Sequence, residues 1–155
     1  GGKMFYTISE MAKRLNVTPS TLRYYDKEGL LPFVERSQGG IRRFKESDYE
    51  WLKVIECMKK AGMSIKDIRT YINLAALGDS TIEERGKLFQ KQRLELEKKI
   101  EEMEKTRKVL QYKCWFYETA KKLGSVEKVK NLKEEEIPFE YVKIRRELTS
   151  GFKKD

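Results

Sequence analysis

Histidine is absent from the 155 residues. That removes imidazole acid–base chemistry, Ser–His triads and every metal site that needs an imidazole ligand. Cysteine is almost absent: Cys57 and Cys114 stand far apart, with no Cys-x-x-Cys pair and no third thiol. Neither a disulfide scaffold nor a structural zinc fits so few thiols, and a reducing cytoplasm is the expected compartment. Proline is rare, and none interrupts the chain between Thr81 and Pro138. No apolar run approaches the ~20 residues that span a bilayer, and no signal peptide is read at the start. Gly1-Gly2-Lys3 ahead of Met4 reads as an expression remnant outside the fold. Secreted, membrane and conventional metalloenzyme readings are set aside, and no cofactor or metal is expected.

Charge is what the chain has in quantity. Lys and Arg number 34 against 25 Asp and Glu, a net charge of +9. Charged residues make up 38% and hydrophobic ones 39%, a balance suited to long solvated helices around a small core.

Helix start and stop signals are regular. Thr7-Ile8-Ser9-Glu10 has the spacing of a capping box, which recurs at Ser47…Glu50, Ser64…Asp67 and Ser80…Glu83. Thr18-Pro19 sets a hydroxyl cap before a proline at the first helical position. Gly29, Gly62 and Gly78 each follow a helical pattern, where a left-handed residue closes the helix. The first helix is expected from Ile8 to Leu15 and the second from Pro19 to Glu28, joined by a tight Asn16-Val17 connection. Two short helices so joined form a helix-turn-helix. Two β-prone runs, Leu30–Arg36 and Ile41–Phe44, flank Gly39-Gly40 and read as a hairpin, or wing. A third helix, Asp48–Ala61, should bury Trp51, Leu52, Val54, Ile55 and Met58; a fourth, Ile65–Leu77, offers Ile65, Ile68, Tyr71, Ile72 and Ala75.

From Thr81 the character changes. Ile82, Phe89, Leu96, Met103, Leu110 and Tyr117 recur every seven residues, the seam of a supercoiled helix. The companion positions Gly86, Arg93, Ile100, Arg107 and Cys114 are poorer. A helix over Thr81–Leu123 would extend ~65 Å at ~1.5 Å per residue. That is too far for the preceding domain to cover, so a second copy of the same helix is the expected partner, in a direction the heptad leaves open. Beyond Gly124, Lys133–Glu136 reads as a solvated charge run and Ile137–Val142 as a short extended segment. Such a tail is too short to fold unaided and should pack back on the coiled coil or the partner subunit.

The chemistry concentrates in the second helix and the wing. With Leu22 facing the core, Ser20, Thr21, Arg23, Tyr24 and Lys27 are free to point outward and supply hydroxyl and guanidinium donors for phosphate oxygens. Tyr25 follows Leu22 by three and should be half-buried, which makes Tyr24 the better contact. The wing adds Arg36, Arg42, Arg43 and Lys45. Residues 1–78 hold 14 basic and 9 acidic side chains, net +5, and attraction to a phosphate backbone is the economical account.

Tyr6-Thr7-Ile8-Ser9-Glu10-Met11-Ala12, Thr21-Leu22-Arg23-Tyr24-Tyr25-Asp26 followed by Gly29-Leu30-Leu31, and Gly40-Ile41-Arg42-Arg43-Phe44 ahead of a long helix closely resemble the MerR family of transcriptional regulators. The resemblance spans roughly residues 4–123. It implies a mainly α winged-helix homodimer joined by an antiparallel coiled coil. It also implies a pseudo-palindromic promoter site with an over-long spacer, which an effector causes the protein to bend and untwist so that RNA polymerase holoenzyme can engage. Arg23, Tyr24, Tyr25 and Arg42 would contact the DNA backbone. Where the family's wing often carries tyrosine this chain has Ile41 and Phe44, so hydroxyl contacts there are lost. Metal-responsive relatives place one cysteine at the start of the long helix and two after it; here Ser80 and Thr81 open it and Cys114 lies alone near its end. From the length of the chain, a large C-terminal drug-binding domain such as drug-sensing relatives carry is not expected.

The expected organisation is a winged-helix DNA-binding domain over 4–78 (helix-turn-helix 7–29, wing 31–45, helices 47–78), a dimerisation helix over 80–123 seamed by Phe89, Leu96, Met103, Leu110 and Tyr117, and a packing or effector tail over 124–155. Cys57 has Lys53 and Lys60 at i−4 and i+3, a cationic flank that favours a thiolate. Its surroundings resemble the single-cysteine branch of the family that answers aldehydes, electrophiles or nitrosative stress, which makes Cys57 the candidate thiol sensor. Cys114, beside Trp115-Phe116-Tyr117, reads as packing. Two other functions fit the pattern: a non-covalent drug-like sensor or repressor using the aromatic Trp115–Tyr117 region, and a coiled-coil adaptor with an incidental basic head. No catalytic constellation is present, so an enzyme is not expected.

Overall fold

The computed structural model describes residues 4–151; Gly1-Gly2-Lys3, expected to lie outside the fold, and residues 152–155 lie outside the described residues. The described chain is mainly helical and divides into two compact units, residues 1–94 and 95–155.

In the first unit the predicted caps set the elements. Thr7 Oγ1 accepts the Glu10 amide at 3.1 Å while Glu10 Oε1 accepts the Thr7 amide at 3.0 Å, opening α1 (Ile8–Leu15). Asn16, at φ +57°, closes it in the left-handed conformation that asparagine tolerates. Thr18 caps α2 (Pro19–Lys27), and Gly29 at φ +76° turns the chain away. β1 (Glu35–Arg36) and β2 (Arg42–Arg43) pair antiparallel with Arg36 opposite Arg42. Beyond them Tyr6 and Phe44 exchange backbone hydrogen bonds, tying the wing to the entry of α1. α3 (Glu46–Lys60) and α4 (Ile65–Ala76) complete the head around a core of Met11, Leu22, Leu30, Phe44, Leu52, Ile55 and Ile68, all fully buried.

Two expected caps are replaced. α3 starts ahead of Ser47, and the Asp48 carboxylate accepts the Lys45 amide at 2.8 Å, because the Tyr6–Phe44 bridge ends the wing at Phe44 and leaves Lys45 as the junction residue. Ser80 caps nothing: Asp79–Thr81 form one 3₁₀ turn, and the buried Thr81 hydroxyl lies between the Leu74 and Gly78 carbonyls at 2.7 and 2.8 Å. Both carbonyls also accept backbone amides, Leu74 from Leu77 and Gly78 from Thr81, and Arg85 adds a further donor to Gly78 at 3.1 Å.

α5 runs unbroken over Ile82–Leu123, 42 residues, and every heptad position from Ile82 to Tyr117 is exposed. In the second unit Tyr112, Phe116 and Ala120 of α5 bury Val129 of α6 (Val126–Lys130), with Trp115, Leu132, Tyr141 and Ile144 packed around them. The segment expected to be extended is instead the start of α7 (Phe139–Ser150), preceded by Pro138, whose fixed φ suits a helix entrance. Its aromatic and β-branched residues read as strand from propensity alone, but packing of Tyr141 and Ile144 on the aromatic face of α5 decides otherwise. The expected solvated charge run contributes Glu134, which accepts two N–H groups of the Arg146 guanidinium, that of Nε at 2.7 Å.

Candidate nucleic-acid interface

α2 is held by polar ties to three neighbours. The Tyr25 hydroxyl donates to Glu56 Oε1 of α3 at 2.5 Å. Arg69 Nε of α4 donates to the Glu28 carbonyl at 2.7 Å, satisfying a C-terminal orphan of the helix. Asp26 Oδ2 accepts Arg36 Nη2 at 2.6 Å and Arg42 Nε at 2.8 Å, binding the helix to both strands of the wing.

These ties leave one face open. Arg23, Tyr24 and Lys27 are exposed, and among the described residues neither Arg23 nor Lys27 forms an ion pair. Arg43 is also exposed, its guanidinium 3.8 Å from the Phe5 ring centroid, a cation–π contact. Arg36 and Arg42 both reach Asp26, which ties the wing arginines to the helix that carries Arg23 and Lys27. Lys45 is paired across the wing to Glu35 at 3.2 Å. The Thr21 hydroxyl lies 2.9 Å from that of Thr18 within the N-terminal cap.

Tyr25 departs from the backbone contact expected of it. Its side chain lies in the core and its hydroxyl is directed at Glu56, because the i+3 spacing from Leu22 sets both on the buried face. Burial first, and the bond to Glu56 second, push its phenol well above the ordinary tyrosine range. Sequence reasoning passed over Glu56, Arg69 and Asp26; only Asp26 carried a local signal, as an acidic residue inside a basic stretch.

Cys57 is exposed on α3, on the helix that also carries Lys53 and Lys60. Cys114, expected to pack, is exposed as well: Tyr112, Phe116 and Ala120 form the buried stripe of α5 there, and position 114 lies off it. In the second unit a groove of about 870 Å³ lies along α5 and α7, lined by Leu110, Cys114, Trp115, Phe139, Tyr141 and Ile144 among others. No helix among the described residues is long and apolar enough to cross a membrane.

Two family models match the chain: the MerR HTH family regulatory protein over residues 6–74 and the MerR DNA-binding region over residues 49–112. An uncharacterized HTH-type transcriptional regulator of Haemophilus influenzae is 44% identical over 126 residues, covering 81% of this chain and 93% of the relative. The HTH-type transcriptional regulator AdhR of Bacillus subtilis is 40% identical over 89 residues, covering 57% of this chain and 64% of AdhR. Among solved structures, HiNmlR, a MerR family regulator lacking the sensor domain and bound to promoter DNA, is 44% identical with a TM-score of 0.72, covering 80% of this chain and 98% of that one.

Proposed function

The chain belongs to the MerR family of helix-turn-helix regulators, and from that premise we propose that it acts as a cytoplasmic homodimer on a pseudo-palindromic promoter, activating transcription by effector-dependent bending and untwisting of the DNA. The observation that carries this reading is that Arg23, Tyr24 and Lys27 of α2 are exposed while Arg36 and Arg42 of the wing are tied to the same helix through Asp26. Guanidinium and ammonium donors so arranged fix a protein on phosphates, and sequence is then read by groove contacts and by the deformability of the duplex. Two such faces in a dimer contact two half-sites. The heptad stripe of α5 supports the dimer, since its large apolar side chains are exposed at regular spacing along a ~63 Å helix.

Distorting a promoter costs on the order of 1–6 kcal/mol, and the effector must favour the distorted complex by a comparable amount for RNA polymerase holoenzyme to profit. The Cys57 thiol is the proposed receptor for a small electrophile: it is exposed, and lysines stand one turn away on either side. A second reading has its own observation, the groove beside Trp115 and Tyr141, whose volume suits a non-covalent small-molecule effector.

In vitro transcription from the chain's own promoter region, with and without a small aldehyde, tests these readings. Wild type should bind throughout and raise transcription with the aldehyde, while Cys57→Ser binds and stays silent. If both proteins respond alike, the thiol switch is wrong and quenching of tryptophan fluorescence by candidate ligands becomes the informative assay. If neither binds DNA in a salt-dependent way, the basic head is incidental and an adaptor role replaces the regulator.

A further inference from the structure

One acidic side chain of α2 lies between the helix and the wing arginines. Asp26 is nearly covered, its carboxylate 14% exposed, and Oδ2 accepts three N–H groups, one from Arg36 and two from Arg42. Arg36 also donates to the Gly40 carbonyl at 3.1 Å, which fixes the hairpin turn to the same guanidinium. Gly40 sits at φ +82°, a conformation glycine adopts without strain.

We propose that Asp26 is a positioning residue for DNA binding: it holds Arg36 and Arg42 of the wing against the helix face that carries Arg23 and Lys27. A free arginine on a two-residue strand samples many rotamers and loses that freedom when it meets a phosphate. Two arginines sharing one carboxylate are ordered beforehand, and each guanidinium has five N–H donors, so donors remain for phosphate oxygens. The carboxylate therefore aids binding although its charge opposes the polyanion. This rests on the reading of α2 and the wing as the DNA face.

The two effects of Asp26 have opposite signs, which makes the proposal testable. The probe is the tightest duplex that wild-type protein selects from a random-sequence library. Positioning predicts that Asp26→Asn weakens binding at least fivefold and reduces the slope of log K against log salt by about 1 per protomer, as phosphate contacts are lost. It also predicts little further loss from Asp26→Asn once Arg36→Ala and Arg42→Ala are already present. Asp26→Glu should retain part of the wild-type affinity. If Asp26→Asn tightens binding, or leaves it and the slope unchanged, charge repulsion dominates and the proposal is overturned. If Asp26→Asn weakens binding equally with both arginines truncated, Asp26 acts through the fold and the proposal is overturned too. Arg23→Ala is the control on the underlying reading: if it leaves binding unchanged, the DNA face itself is wrong.

Discussion

The Tyr25 hydroxyl and the Glu56 carboxylate form a 2.5 Å hydrogen bond that joins the second helix of the helix-turn-helix to the helix beyond the wing. Tyr24, one residue earlier, is exposed although its ring centroid lies 6.1 Å from that of Tyr25, so two adjacent tyrosines divide between surface and scaffold. Tyr25→Phe keeps the ring and removes a hydrogen bond to a charged group, which should lower the unfolding free energy by about 1.5–3 kcal/mol. Urea denaturation measures this. The salt dependence of DNA binding should stay unchanged, whereas a direct phosphate contact by Tyr25 would reduce it.

The same phenol gives an alkaline signature. Its pKa is raised above the ordinary 10.0, so the folded protein retains a proton that the unfolded chain releases. Wild-type stability should therefore fall as pH climbs above 10, and Tyr25→Phe should lack that part of the fall.

Burial raises the Asp48 carboxyl above its ordinary 3.8, against the opposing pull of the Lys45 amide. Folded protein holds this proton more tightly than unfolded chain, so the group's contribution to stability declines as pH rises from 3.8 through the folded value. Asp48→Asn keeps an oxygen to accept the Lys45 amide and cannot ionise. Its stability relative to wild type should increase between pH 3.5 and 7; a constant difference would show that Asp48 titrates normally.

Local signals were enough for α1, α2 and α4, because Thr7, Thr18 and Ser64 cap the helices they precede and Gly29 and Gly78 end them with positive φ. Leu22 and Leu52 could be assigned to the core from spacing. The start of α3 was not legible, since the cap depends on where the Tyr6–Phe44 bridge stops the wing. Nor was α7, whose helix is decided by packing against Tyr112 and Trp115 rather than by propensity. The outward residues of the proposed DNA face followed from helical spacing. Their supports did not: Glu56 lies 31 positions from Tyr25 and Arg69 lies 41 from Glu28, and no local pattern announces a pairing at that separation.

The α5 stripe predicts the assembly state. Met103 is 68% and Leu110 61% exposed in the single chain, which leaves a regular apolar row for a partner helix. Sedimentation at micromolar concentration should give a dimer, and Leu96→Glu combined with Met103→Glu should give a folded monomer with weakened operator binding. A monomeric wild type would remove the two-half-site account.

Both thiols are exposed, so a small electrophile should reach Cys57 and Cys114 both when followed by mass spectrometry. Only Cys57→Ser should abolish the transcriptional response, and Cys114→Ser should respond as wild type does. Loss of response in Cys114→Ser would move the sensor to the groove along α7.

The central claim, that the open faces of α2 and the wing bind DNA, meets its most direct test in a salt titration. Operator affinity of wild type and of Arg23→Ala combined with Lys27→Ala would be measured by fluorescence anisotropy from 50 to 200 mM salt. The account predicts that wild-type affinity falls steeply with salt and that the variant binds more weakly with a slope shallower by about 2 per protomer. Equal slopes for the two proteins, or a wild-type affinity indifferent to salt, would contradict it.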